Sequence, residues 1–216
     1  MKILVTGFEP FGGEKVNPSF EAVRRLPPRI GGADIARAQI PVVFRKGPAA
    51  IEAAIEAERP DMVLCVGQAG GRAQITPEFV GINYANFRAP DNEGNQPLSQ
   101  KLVEDGPDAR FSTLPVQAMA SAASAAGIPA SVSYTAGTFC CNEVLYCLLD
   151  TLERRHPGVR GGFVHVPYLD SQVARLGSQA PSMSLERICE GLAAMIAAMA
   201  AHEGADAVSA ASGREF

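Results

Sequence analysis

The sequence predicts a single α/β domain with a mostly parallel, twisted sheet and helices on both of its faces. Short apolar runs alternate along the chain with longer segments in which apolar residues recur every three to four positions. The short runs are continuously apolar, which is typical of strands that are buried on both faces of a parallel sheet. Strands that are interleaved with helices favour this architecture.

The first half of the chain begins with a strand, a loop and a helix. The run "KILVTG" predicts a buried strand, and the helix in "NPSFEAVRRL" has Asn17 as its N-cap and Pro18 at its first position. Two further strands are predicted in "IARAQIPVVF" and "DMVLCVG". Between them lies an Ala- and Glu-rich helix that ends at Pro60.

The second half continues the alternation. "EFVGINYAN" alternates weakly, "LPVQAMASAASAAG" predicts a helix that Gly127 ends, and "ASVSYTAG" resembles a strand. A helix follows "TAGTF", then a buried strand in "GGFVHVPY" and a long helix in "SLERICEGLAAMIAAMAAH". We expect one domain over residues 1–203. Residues 204–216 lack a lasting apolar period, so a mobile tail is expected there.

Composition narrows the possible functions. The 216 residues are 47% hydrophobic, enough for one sizeable core, and the net charge of −4 offers no basic patch for nucleic acid. No stretch reaches 18 apolar residues and no signal peptide precedes the first strand, so we expect a cytoplasmic protein without membrane contact. Five cysteines without a Cys-x-x-Cys pair, and three scattered histidines, predict reduced thiols and no metal site.

Two glycine-rich loops follow predicted strands, yet neither suits a nucleotide. In "GFEPFGGEK" the glycines are followed by Glu14, a negative charge where a phosphate would lie. "GQAGGR" lacks the Gly-x-Gly-x-x-Gly order of a dinucleotide site.

The same loops carry residues that suit a small, flat ligand. Phe8 and Phe11 either pack beneath their loop as core or form an apolar wall of a pocket. Gln68 is either a surface amide or a group that orients a small polar ring.

Candidates for a nucleophile and a base come from the second half. His165 lies near the end of a predicted buried strand, as a core residue or as a base. Cys140 and Cys141 fall in the first turn of a helix, whose dipole favours a thiolate. Successive helical residues point about 100° apart, so only one of the two can face a cleft. The pattern of residues does not decide which.

Five motifs in one order resemble those of the pyroglutamyl peptidase type I family of cysteine peptidases. They extend from about residue 1 to 200 and are "GFEPFGG" with Asn17-Pro18-Ser19, "GQAGGR" with "ITPE", "APDNEGNQP", "TAGTFCCN" and "HVPYLDSQ". In the family the nucleophile directly precedes the asparagine of the fourth motif, which implies Cys141. The resemblance also implies His165 as the base and Glu78 as the residue that orients it.

The resemblance implies hydrolysis of the amide bond that follows an N-terminal pyroglutamyl (5-oxoprolyl) residue, without a cofactor. It implies a substrate pocket, a supporting Arg88 and a cytoplasmic homotetramer. The expected pocket residues are Phe8, Phe11, Asn17, Gln68 and Phe139. Asp91, in a polar turn, is an alternative to Glu78 as the residue that orients His165.

Two other classes of protein are compatible with an α/β domain. A nucleoside phosphorylase would need basic phosphate ligands, for which the loops show no evident arrangement. A non-catalytic module that binds cyclic amides would tolerate the loss of Cys141.

Overall fold

The computed structural model describes residues 1–202, and its centre is a six-stranded sheet. The strands are β1 (Lys2–Phe8), β2 (Arg29–Ile30), β3 (Ala33–Ile40), β4 (Met62–Gln68), β5 (Thr76–Glu78), β6 (Val80–Ile82), β7 (Ala109–Phe111) and β8 (Arg160–Val166). The helices are α1 (Pro18–Val23), α2 (Lys46–Glu58), α3 (Val116–Ala125), α4 (Cys140–Arg155), α5 (Asp170–Leu176) and α6 (Leu185–Ala201). The expected tail, residues 204–216, lies outside the described residues.

The main sheet has the strand order β2-β3-β1-β4-β8-β5. Its four central strands pair in parallel, and the short edge strands β2 and β5 pair antiparallel. Strands β6 and β7 form a separate two-stranded ribbon. The predicted mostly parallel sheet is therefore confirmed.

Two apolar layers cover the sheet, one on each face. Helices α1, α3 and α6 pack with the first layer, which includes Ile3, Val5 and Leu64. Helices α2 and α4 pack with the second layer, which includes Leu4 and Val63. Neighbouring residues of β1 and β4 thus point to opposite layers, as the pleat of a strand requires.

Several helices begin and end where the sequence predicts. The side chain of Asn17 accepts a hydrogen bond from the backbone N–H of Ser19, which caps α1, and Pro18 is the first residue of that helix. Gly127, with φ of 76°, follows the end of α3, a conformation that glycine adopts without strain.

Three differences concern short or irregular segments. The strand predicted in "IARAQIPVVF" ends at Ile40, because Pro41 has no N–H to continue the ladder. The strand predicted in "ASVSYTAG" is wrong: the segment makes only isolated bridges, at Ala130 and Ser133. Four short elements were not predicted from the sequence: β2, β5, β7 and α5, which have two, three, three and seven residues.

The parallel strands position the site. The carboxyl ends of β1, β4 and β8 lie at one edge of the sheet, and the loops that follow them meet there with the start of α4.

Candidate active site

Helix α4 brings its two adjacent cysteines into different surroundings. Cys140, the first helical residue, is 2% exposed and packs in the second apolar layer. Both cysteines line a pocket of about 600 Å³, but Cys141 is half-buried and is the more exposed of the two. The backbone N–H of Glu143 donates to the carbonyl of Phe139 at the start of the helix. The N–H groups of the residues before Glu143 have no carbonyl one turn earlier within the helix, so they are available to an anion.

The thiol of Cys141 lies against the sheet at Gly67. A Cβ atom added to Gly67 would lie 3.0 Å from Cys141 Sγ and 2.6 Å from the ring of Phe163. Gly67 is the register partner of His165 on the neighbouring parallel strand. The absence of a side chain at Gly67 therefore lets the thiol approach the strand pair that carries His165.

The antiparallel edge strand β5 supplies the partner of His165. Glu78 Oε1 lies 2.7 Å from His165 Nδ1, and the two side chains are 0% and 3% exposed. This contact occupies Nδ1 and leaves Nε2 as the nitrogen that can exchange a proton with a group in the pocket.

Arg72 is a second partner of Glu78. Its Nη1 lies 2.5 Å from Glu78 Oε1 and 2.5 Å from Thr76 Oγ1, and its Nη2 donates to the carbonyl of Thr135 at 2.9 Å. Burial raises the pKa of Glu78, but hydrogen bonding and charge from His165, a hydrogen bond from Ser133 and the charge of Arg72 together hold that pKa below its ordinary value. Glu78 is therefore an ionised carboxylate at neutral pH.

Cys141 and His165 are both held in their neutral forms. Burial raises the pKa of Cys141 to about 12, with a further increase from the charge of Glu78 and a decrease from Arg72. Burial lowers the pKa of His165, and this outweighs the hydrogen bond and charge of Glu78. Burial penalises the charged form of both groups. The thiolate that the helix dipole is expected to favour stays a prediction.

Aromatic rings form one wall of the pocket. Phe11 and Phe139 line it with ring centroids 5.2 Å apart, and Phe139 also lies 4.4 Å from Phe87. Phe8 lines the pocket too, is 2% exposed and packs on Phe163 with centroids 6.3 Å apart. Phe8 therefore packs in the core and also lines the pocket, so the two alternatives for the Phe8–Phe11 pair do not exclude each other.

Asn17 and Gln68 complete the polar side of the pocket. Both line it. The amide of Asn17 is engaged in capping α1 and in donating to the carbonyl of Glu9 at 2.9 Å, so a direct contact between Asn17 and substrate stays a prediction. Gln68 Oε1 accepts a hydrogen bond from Gln172 Nε2 at 3.0 Å.

The two remaining candidates lie at different places. The carboxylate of Asp91 accepts hydrogen bonds from the backbone N–H groups of Glu93 and Asn95 and from the Asn95 side chain, within its own loop. It also accepts from the backbone N–H of Phe44, which connects this loop to the segment before α2. In the structure Glu78 contacts His165, whereas Asp91 accepts hydrogen bonds from backbone N–H groups. Arg88 is exposed and lines the pocket.

Sequence reasoning gave no role to several residues that the fold brings to the site. Arg72 and Gln172 both lie within motifs that carry the family resemblance, "GQAGGR" and "HVPYLDSQ", and this was the available signal. Tyr168 packs so closely over Gly70 that a Cβ there would lie 2.3 Å from the phenol oxygen. Within residues 1–202, no three His, Cys, Asp or Glu side chains are grouped so that they could hold a metal ion.

Comparison with known proteins gives consistent matches over the described part of the chain. The family model for pyroglutamyl peptidase matches residues 1–202. Pyrrolidone-carboxylate peptidase of Clostridium botulinum is 52% identical over 192 residues, which are 89% of this chain and 90% of the relative. The enzyme of the same name from Lactobacillus johnsonii is 49% identical over 213 residues and covers 99% of both chains.

A solved structure agrees in three dimensions. The crystal structure of pyroglutamyl peptidase I from Bacillus amyloliquefaciens is 49% identical, with a TM-score of 0.91 over 94% of this chain and 98% of that one. The fold, the pocket at the start of α4 and these matches lead to one conclusion: the chain belongs to the pyroglutamyl peptidase family.

Proposed function

We propose that this chain removes N-terminal pyroglutamate from peptides with Cys141 as the nucleophile, His165 as the general base and acid, and Glu78 as the residue that orients His165. The activity is that of a pyrrolidone-carboxylate peptidase, a cysteine peptidase. The observation that carries the assignment is the 2.7 Å contact between Glu78 and His165 in the pocket that Cys141 lines.

The first half of the reaction forms a thioester. The thiol proton of Cys141 moves to His165 Nε2 as the sulfur attacks the carbonyl carbon of the scissile amide. The imidazolium then donates this proton to the leaving nitrogen as the C–N bond breaks, and the shortened peptide departs. Glu78 keeps His165 in the required tautomer and stabilises its charged form during these steps.

The second half regenerates the thiol. His165 takes a proton from water, whose oxygen attacks the thioester carbonyl, and the C–S bond breaks. Pyroglutamate leaves and Cys141 recovers its proton from His165. Burial disfavours the charged form of both groups, so proton transfer accompanies the attack in this scheme.

The start of α4 stabilises the negative charge that develops on the carbonyl oxygen. The N–H groups before Glu143, including that of Cys141, point along the helix axis beside the sulfur. The aromatic wall suits a pyrrolidone ring, which is flat and uncharged. An open-chain N-terminal residue would bring a charged ammonium group against this wall, where it would lose part of its hydration.

The test uses two anilides, pyroglutamyl and glutaminyl, with the wild-type protein before and after thiol alkylation. We expect the protein to cleave the first and not the second, and alkylation to abolish cleavage. Equal cleavage of both anilides would contradict the pocket assignment. Binding of the pyroglutamyl compound without hydrolysis would indicate a non-catalytic module.

The assembly, compartment and domain extent are part of the same proposal. All five cysteines are free thiols, which suits a reducing cytoplasm. We expect a homotetramer, as the family resemblance implies, and one catalytic domain over residues 1–203. None of the helices in the described residues is both long and apolar enough to cross a bilayer. Light scattering combined with size-exclusion chromatography tests the tetramer.

A further inference from the structure

Gln172 on helix α5 is buried beside the pocket and belongs to no step of the proposed reaction. Its side chain is 0% exposed. Its Oε1 lies 2.9 Å from the backbone nitrogen of Leu169, and its Nε2 lies 3.0 Å from Gln68 Oε1 and 3.3 Å from Glu14 Oε2. All the polar atoms of this buried amide therefore have partners.

The orientation of Gln172 follows from what its partners can do. A backbone N–H can only donate, so the Gln172 atom that faces Leu169 must be the carbonyl oxygen. An ionised carboxylate can only accept, so the atom that faces Glu14 must be the amide nitrogen. Two independent partners thus require the same orientation of the Gln172 amide.

That orientation determines the orientation of Gln68. Since Gln172 Nε2 is a donor, the Gln68 atom 3.0 Å away must be the acceptor Oε1. The nitrogen of the same amide is then turned away from Gln172. Gln68 lines the pocket, and its amide nitrogen is not used by Gln172.

We propose that Gln172 is a positioning residue that holds the Gln68 amide so that its N–H donates to the ring carbonyl oxygen of the pyroglutamyl group. The inference rests on the proposed function and adds the direction of one hydrogen bond. A lactam carbonyl that enters an aromatic pocket loses its water and needs a donor there. A fixed donor rejects rings that lack the carbonyl, because its own N–H would remain unpaired.

Glu14 and Arg175 stabilise the arrangement from the opposite side. Glu14 Oε2 accepts from Gln172 and also from the guanidinium of Arg175. Glu14 lies in the loop after β1 and Arg175 in the last turn of α5. The pair therefore ties the loop that carries Phe11 to the helix that carries Gln172.

The test isolates the ring carbonyl with two substrates that lack the ring N–H. They are the anilides of 3-oxocyclopentanecarboxylic acid, which keeps the carbonyl, and of cyclopentanecarboxylic acid, which lacks it. For the wild type we expect kcat/KM to be about tenfold or more higher for the keto compound, the effect of one hydrogen bond. The variants are Gln172→Glu, Gln172→Met and, as control on the exposed side of α5, Ser171→Ala.

In Gln172→Glu the carboxyl still accepts from Leu169, and its second oxygen lies beside Glu14 as well as Gln68. The two neighbouring carboxyls share one proton between them, so the oxygen that faces Gln68 accepts and requires a donor from Gln68. The Gln68 amide must turn over and present its oxygen to the pocket. We expect the ratio between the two substrates to fall to about one and KM for the pyroglutamyl anilide to rise more than kcat falls. In Gln172→Met no side chain holds the Gln68 amide, so the ratio of kcat/KM between the two substrates should be intermediate. Ser171→Ala should give the wild-type ratio.

A purely structural role for Gln172 would lower the rates for both substrates equally. An unchanged ratio in folded Gln172→Glu and Gln172→Met would therefore overturn the proposal, and Gln172→Met alone decides the matter if Gln172→Glu does not fold. A wild type that does not hydrolyse the pyroglutamyl anilide would instead contradict the proposed function. The two failures are thus distinguishable.

Discussion

Glu78 and His165 meet at 2.7 Å across the antiparallel pairing of two strands that are far apart in the sequence. In the register of β5 on β8, Glu78 pairs with Phe163 and Thr76 pairs with His165. The carboxylate is therefore supplied from the edge strand, and its position depends on backbone pairing as well as on the side chains. Arg72 contacts the same oxygen. This three-residue arrangement and the start of α4 lead to the following predictions.

Cys141→Ala should abolish hydrolysis of a pyroglutamyl anilide, with a loss of roughly 10⁴-fold or more, as when other covalent nucleophiles are removed. Cys140→Ala should retain most of the rate, because that side chain is 2% exposed within the apolar layer. It should cost about 1 kcal/mol in the free energy of unfolding. Steady-state kinetics and urea unfolding measure the two effects. Loss of activity in Cys140→Ala alone would exchange the two roles.

Glu78→Gln should lower kcat/KM by less than the roughly 10⁴-fold known for the equivalent charge in a serine triad. It should also shift the acid limb of the pH profile to lower pH. The charge of Glu78 raises the pKa of His165, so the pKa falls when that charge is removed, and the base stays neutral to lower pH. The measurement is kcat/KM against pH.

Asp91→Asn is the matched carboxylate-to-amide control. The Asp91 carboxylate accepts hydrogen bonds from the backbone N–H groups of Phe44, Glu93 and Asn95. The substitution should therefore lower the free energy of unfolding by about 1–2 kcal/mol and leave the acid limb of the pH profile unchanged. If the acid limb of the pH profile shifted in Asp91→Asn and not in Glu78→Gln, Asp91 would be the residue that orients His165.

Alkylation of Cys141 by iodoacetamide should increase with pH well beyond pH 9. Burial raises the pKa of this thiol to about 12, so the reactive thiolate is scarce at neutral pH. The rate of inactivation, followed by residual hydrolysis, measures its ionisation. A plateau in that rate below pH 7 would show a preformed thiolate–imidazolium pair instead.

Arg72→Gln should lower kcat/KM by roughly tenfold, equivalent to a loss of about 1.4 kcal/mol. Its charge lowers the pKa of Cys141 and also that of His165, so its removal makes the thiol harder to ionise and moves the acid limb to higher pH. This shift is opposite in direction to that of Glu78→Gln. Arg24→Gln, on the exposed face near Glu21, is the control and should behave as wild type. Shifts in the same direction for Arg72→Gln and Glu78→Gln would contradict this electrostatic account.

Gly67→Ala should strongly reduce activity. Its Cβ would lie 3.0 Å from Cys141 Sγ and 2.6 Å from the ring of Phe163, so the thiol or the ring must move. Gly47→Ala is the comparison, since its Cβ would approach Pro41 and Val144 only to 3.3 Å and would lie in helix α2. Wild-type activity in Gly67→Ala would show that the thiol does not need this approach.

The sequence by itself determined the parts of the protein that depend on neighbouring residues. Continuous apolar runs predicted β1, β4 and β8, because a strand that is covered on both faces is mostly apolar at successive positions. Asn17 and Pro18 predicted the start of α1, since capping involves only adjacent residues. The segment after "TAGTF" was likewise predicted to start a helix, and Cys140 and Cys141 are the first two residues of α4.

The family resemblance singled out Cys141, His165 and Glu78, whereas residue patterns alone left two choices open. Those choices were Cys140 against Cys141 and Glu78 against Asp91. Only the tertiary structure separates the members of each pair geometrically. Burial of Cys140 depends on packing against the second apolar layer, and the contact of Glu78 with His165 depends on pairing across 87 residues of chain.

The tertiary structure also determined the direction of the pKa shifts and the polar network of the pocket. The pKa values of Cys141 and His165 are set by how far the fold removes them from water, which no local pattern encodes. Gln172 acquires its role from Gln68 and Glu14, which lie 104 and 158 residues away in the chain. Hydrogen bonds between distant segments form only when the strands have paired and the loops have come together. The sequence therefore identified the residues of the pocket, and only the tertiary structure shows which of them are hydrogen-bond partners.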